Sequence, residues 1–168
     1  MSSDRLATLL AIAREIAAAN PTFQAVLGPG AGDNATNAFM RELQERAMST
    51  FGDDYCERRM CGDTSQAVDF YFPEEGTIVE VALGLPTPAS EFEKDILKAI
   101  MAQESGHLVH RLFFISRSGA VKTCNQPGRV AVKEWARAKH ELVIEVHELG
   151  GKPRTRRRSV PPSSEPNP

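Results

Sequence analysis

Apolar residues Leu6, Leu9, Leu10, Ala13, Ile16 and Ala17 recur at helical spacing between Asp4 and the Asn20-Pro21 stop, which predicts an amphipathic helix. Gly28, Pro29, Gly30 and Gly32 then interrupt the pattern. This run follows no strand and lacks the Lys-Ser/Thr of a phosphate loop, so it reads as a linker. Phe39, Leu43 and Ala47 repeat at i, i+4 and i+8, with Asp33 or Asn34 as a candidate cap, and predict a second helix to about Phe51.

The period then changes. Tyr55 to Met60 reads as a short strand and Gly62-Asp63 as a turn, with Asp63 a turn residue. Val68 to Phe72 is rich in β formers, Pro73 to Gly76 is a turn, and Thr77 to Leu83 is again strand-like, giving a β-meander. Pro86 and Pro88 end the last strand. Ser90 and Glu93 have capping-box spacing and predict a helix through about Gln103, its core face formed by Phe92, Ile96 and Ile100. Arg111 to Ser116 is a short apolar strand, Arg129 to Ala138 a helix around Trp135 packed on the sheet, and Leu142 to Val146 a final strand. The order α-α-βββ-α-β-α-β implies an α/β fold, a mixed β-sheet flanked by helices on both faces.

Length and composition narrow the class. At 168 residues the chain fits one domain over residues 1–150, with residues 1–33 a helical extension and residues 151–168 a tail. No apolar run approaches the ~20 residues of a spanning helix. The first twenty residues are broken by Asp4, Arg5, Arg14 and Glu15, unlike a signal peptide. Cys56, Cys61 and Cys124 fit neither a disulfide framework nor a four-ligand zinc site, and a cytoplasmic location is expected. The net charge of −2 is uneven: residues 151–168 carry five basic groups and one acid, leaving −6 on the preceding 150. That Pro/Ser-rich basic tail is expected to be disordered and to either solubilise the chain or hold a polyanion.

Asp69 and Glu80 carry the candidate chemistry. Each lies in a mostly apolar strand, where an acid is costly unless it is ligated or hydrogen-bonded. Taken alone, either acid is explained by the solvated face of an alternating strand. Together, on neighbouring strands beside a helix start, they suggest a divalent-metal site for phosphodiester hydrolysis, since Mg²⁺ takes oxygen ligands and keeps waters for substrate and nucleophile.

In this combination the region from about Asn34 to Val146 resembles the PD-(D/E)XK nucleases, the type II restriction-endonuclease-like fold. Asp69 matches the acid of the second strand, Glu80 that of the third, and Glu42 the acid of the preceding helix. The resemblance implies a Mg²⁺- or Mn²⁺-dependent DNA endonuclease with Asp69 and Glu80 as metal ligands. Alanine, Ala82, stands where the family has its lysine. The family includes proteins in which that lysine has moved to the following helix, which makes Lys94 and Lys98 the catalytic candidates. Both are expected on the side opposite Phe92, Ile96 and Ile100, with Lys94 better able to reach the site from the helix start. Glu93, nearer the sheet side, is either a further ligand or the capping-box acid.

Other residues are less distinctive. Arg117, Lys122, Arg129 and Lys133 follow the fourth strand and either contact DNA phosphates or form a loop of mixed charge. His107, His110, His140 and His147 lack metal-ligand spacing, and Ser116, Ser118 and Cys124 lack a nucleophile signature. Cutting both strands of a palindrome would require a symmetric homodimer. The alternative, favoured by Ala82, is an inactive module of the same fold that binds nucleic acid or protein. A third reading, a small α/β protein of other ancestry, requires Asp69 and Glu80 on opposite faces.

Overall fold

The computed structural model describes residues 4–20, 31–87 and 91–150. Helix α1 (Arg5–Ala19) opens on Asp4, whose carboxylate accepts from the Ala7 N–H at 2.9 Å. It closes at Asn20, whose side-chain amide donates to Ile16 O at 2.8 Å. Both caps satisfy backbone groups left unpaired at helix ends. Helix α2 spans Ala31–Phe51 and so begins ahead of the expected cap at Asp33 or Asn34, taking Gly32 into the helix. The rest of the glycine run, like the basic tail, lies outside the described residues.

Strands β1 (Cys56–Arg58), β2 (Val68–Phe72) and β3 (Thr77–Val81) form the expected antiparallel meander. A 3₁₀ turn over Pro73–Glu75 joins β2 to β3. Gly76 closes that turn with φ +53°, and a Cβ there would meet His110 Nδ1, so the position requires glycine on two grounds. Helix α3 (Phe92–Glu104) crosses to β4 (Arg111–Ser116), which pairs in parallel with β3. A short helix α4 (Ala120–Cys124) and helix α5 (Pro127–His140) then lead to β5 (Val143–Glu148), parallel to β4. The five strands lie in chain order across the sheet.

Alternation divides the sheet residues between two cores. Phe70, Phe72, Val79, Phe113 and Ile115 pack under α1 and α2 with Leu9, Ile16, Phe39 and Leu43. Ile78, Leu112 and Phe114 pack under α3 with Phe92, Ile96 and Ala99. The result is a mixed five-stranded sheet with helices on both faces. Among the described residues no helix is long and apolar enough to cross a membrane.

Trp135 departs from expectation: its side chain is about half exposed and meets His140 edge-on, with ring centroids 5.0 Å apart. Ala136 takes the buried position on α5 instead. The start of α3 falls one residue later than the spacing of Ser90 and Glu93 implies. The cap residue is Glu91, which makes no side-chain capping bond; Glu93 is exposed, and Ser90 lies outside the described residues.

Candidate active site

The β2–β3 register pairs Phe70 with Val79, and one further step places Asp69 opposite Glu80. Directly opposed residues of an antiparallel pair share a face. Glu80 alternates with Ile78 and Ala82, both in the core beneath α3, so the acid pair faces that helix. The two acids therefore do not point to opposite sides of the sheet.

Asp69 is half-buried, and its Oδ2 accepts from the Val81 N–H at 2.7 Å, tying it to the neighbouring strand. Glu80 is 3 % exposed. Lys98 descends from α3 onto it: Nζ lies 2.7 Å from Glu80 Oε1 and 2.9 Å from Asp95 Oδ1. The same ammonium donates to Ala67 O at 3.2 Å. Lys98 and Asp95, at 7 % and 3 % exposed, are thus both buried.

The two candidate lysines separate cleanly. Lys94 is exposed and pairs with Glu91 at 3.0 Å, away from the acids. Lys98 is not on the solvated side, as its opposition to Phe92, Ile96 and Ile100 suggested. Ala99 and Ala102 extend the buried arc of α3 to the flank that carries Asp95 and Lys98. Asp95 is not among the sequence candidates, since acids are common in the first turn of a helix. The available signal was its i, i+3 spacing to Lys98 on the alanine flank.

Three carboxyls around one ammonium leave an excess of negative charge out of water. Burial pushes the Glu80 carboxyl well above the usual range, with the charges of Asp69 and Asp95 adding to it and Lys98 opposing. Asp69 is also raised by burial, against the Val81 hydrogen bond and Lys98. Asp95 is raised by burial against its bond to Lys98. Burial alone would depress the Lys98 ammonium, but Glu80 and Asp95 reverse this and hold it above its ordinary value.

Among the described residues, no group of three or more His, Cys, Asp or Glu side chains is disposed to hold a metal ion. Lys98 stands between Glu80 and Asp95. Mg²⁺ commonly takes only one or two carboxylates and completes its shell with water and phosphate. Asp69 and Glu80, opposed on one face and both raised by burial, are a donor set of that kind.

The remaining candidates lie elsewhere. Glu42 belongs to α2, in the layer on the opposite side of the sheet. Arg129 is not a surface cation: it is 8 % exposed. It donates to Leu85 O at 3.1 Å and Thr87 O at 3.4 Å, with its guanidinium over the Phe92 ring. It braces the segment that follows β3. Arg117 is half-buried directly after β4, and burial lowers its pKa. Lys122 is exposed on α4, while Lys133 donates to Asn125 at 3.0 Å. Ser116 is buried, donating to Ala82 O at 2.6 Å.

No family model, curated protein or solved structure matches the chain.

Proposed function

We propose that the protein is a divalent-metal-dependent phosphodiester hydrolase acting on DNA, of the PD-(D/E)XK kind, with its lysine supplied by α3. The observation that carries this reading is the Lys98 ammonium 2.7 Å from Glu80, on the face that Glu80 shares with Asp69. It provides from the crossover helix the cation that Ala82 cannot. The element order from α2 through a meander, crossover helix and parallel strand agrees with the expected restriction-endonuclease-like core.

Asp69 and Glu80 would hold the cation. Bound there, a divalent ion supplies Lewis-acid stabilisation of phosphate charge and a more acidic water. With Glu80 turned to the cation, Lys98 would orient the attacking water with the N–H so released and offset charge on the phosphate oxygens. As the water oxygen bonds to phosphorus it gives a proton to solvent, the P–O bond to the leaving sugar oxygen breaks, and that oxygen takes a proton from solvent. Asp95 holds Lys98 in place, and the Val81 N–H holds Asp69.

A second reading has its own observation. Lys98 already pairs with both Glu80 and Asp95, which would suffice for a binding module that does not cut. Incubation with supercoiled and linear DNA, in Mg²⁺, Mn²⁺ or EDTA, separates the two. Metal-dependent nicking that Asp69→Ala abolishes is the expected result. No cleavage, with no metal binding by calorimetry, would leave the module.

A further inference from the structure

Beside the acid cluster, β1 and the segment following α3 enclose a cleft of about 520 Å³ whose lining includes Arg58, Arg59, Met60, Tyr71 and His107. We propose that this cleft is the subsite for one unpaired nucleotide of a nucleic-acid strand, its base against Tyr71 and His107 and its phosphate on Arg58 and Arg59. The inference deepens the hydrolase reading and rests on it for the strand's course toward Asp69.

The aromatic wall is preformed. Tyr71 and His107 meet edge to face, with ring centroids 6.1 Å apart and planes at 77°. Tyr71 Oη donates to Leu108 O at 2.9 Å, which fixes the ring on the segment after α3. Tyr71 is half-buried, His107 is exposed and Met60 is buried, so an aromatic surface open to solvent stands over an apolar floor. Such surfaces stack bases of any sequence.

The charge around the cleft is divided. Asp54 accepts from the Cys56 N–H at 2.9 Å and Glu57 from Gln44 at 3.3 Å, both neutral donors, so the four charges of the lining sum to zero. Arg58 and Arg59 are exposed, and the side chain of neither is in an ion pair with another described residue. The two guanidiniums are a local seat for one phosphate. The volume lies within the range of sites for small ligands.

Position connects the cleft to the cluster. Tyr71 lies two residues from Asp69 on β2, on the same face and about 7 Å along the strand. A nucleotide seated on Tyr71 sets the adjoining backbone beside Asp69. The base of a duplex is already stacked on both sides and cannot occupy the wall, so the strand must be single, an end, a flap or a loop.

The test is fluorescence polarisation of the full chain with a short labelled oligothymidine, competed by unlabelled oligothymidine or by relaxed, covalently closed plasmid duplex, both in EDTA. The single strand should bind about tenfold more tightly than the duplex. Tyr71→Ala should weaken the strand by about tenfold, the stacking of one base. Arg58→Ala/Arg59→Ala should weaken it similarly and reduce the salt slope by about 0.7, the value for one neutralised phosphate of a single strand. Should Tyr71→Ala not fold, the exposed arginine pair carries the test. Equal affinity for strand and duplex, or arginine variants that bind as wild type, overturns the subsite whether or not DNA is cut. Absence of metal-dependent cleavage with the binding pattern intact overturns the hydrolase alone.

Discussion

The ammonium of Lys98 lies 2.7 Å from Glu80 Oε1, joining the crossover helix to the strand that carries the acid. Lys98→Met should abolish metal-dependent cleavage. It also removes the cation from buried carboxyls, at a cost of about 3–5 kcal/mol at neutral pH. Lys94→Ala, altering a lysine paired only with Glu91 at the surface, should leave both properties unchanged. Plasmid nicking and urea denaturation of the two variants check this. Equal effects would remove the assignment of the migrated lysine to Lys98.

Asp69 contributes to the excess of negative charge, so its loss should separate activity from stability. Asp69→Asn keeps an oxygen for the Val81 N–H and removes one charge facing Glu80. The metal-free variant is expected to be about 1 kcal/mol more stable than wild type at neutral pH, and inactive. Loss of stability would mean that the Asp69 charge is balanced in the native protein.

The acid cluster should also give a pH signature. Glu80 is raised chiefly by burial and further by Asp69 and Asp95. A carboxyl raised in the folded state favours folding at pH below its unfolded value, about 4.3, and loses that contribution as pH rises toward its folded value. The stability difference between wild type and Glu80→Gln should therefore move against wild type from about pH 4.5 toward neutrality in EDTA. Saturating Mg²⁺ should reverse it, since metal replaces the retained proton. Lys98, raised instead of lowered, keeps its contribution up to its unfolded value near 10.4 and adds no slope in this window. Denaturation at a series of pH values measures the difference; a flat profile would mean that Glu80 is ionised throughout.

Arg129 should behave as a brace and not as a DNA contact. Arg129→Ala strands the carbonyls of Leu85 and Thr87 and should cost about 2–3 kcal/mol, with the salt dependence of DNA binding unchanged. A reduced salt slope in a fully folded variant would return it to the phosphate-contacting set.

Sequence pattern identified the meander, the crossover helix and strands β2 and β4 because each has a single period and clear turn residues at its ends. It also identified Asp69 and Glu80, since acids inside apolar strands stand out. Lys98 and Asp95 were placed poorly for a geometric reason. Three large residues centred the expected core face of α3, whereas Ala99 and Ala102 widen it on one side by letting the helix approach closely. Arg129 was misread because chain proximity to Arg117 and Lys122 says nothing of depth. Helix α4, only five residues long, is too short to show a period. Trp135 looked like a core residue by helical spacing, but its small neighbour Ala136 holds the contact face.

The strands lie in the order in which they are synthesised, so each new strand joins the one laid down just before it. Nothing has to be inserted between partners already paired, and the sheet can lengthen at one edge as the chain emerges from the ribosome. On that schedule Asp69 and Glu80 meet as soon as the hairpin closes, before their counter-ion exists in folded form. In the newborn hairpin the two acids stand in water, and Lys98 reaches them one crossover later. Arrival of α3 is then the step that takes the acids out of water and delivers their cation in the same movement.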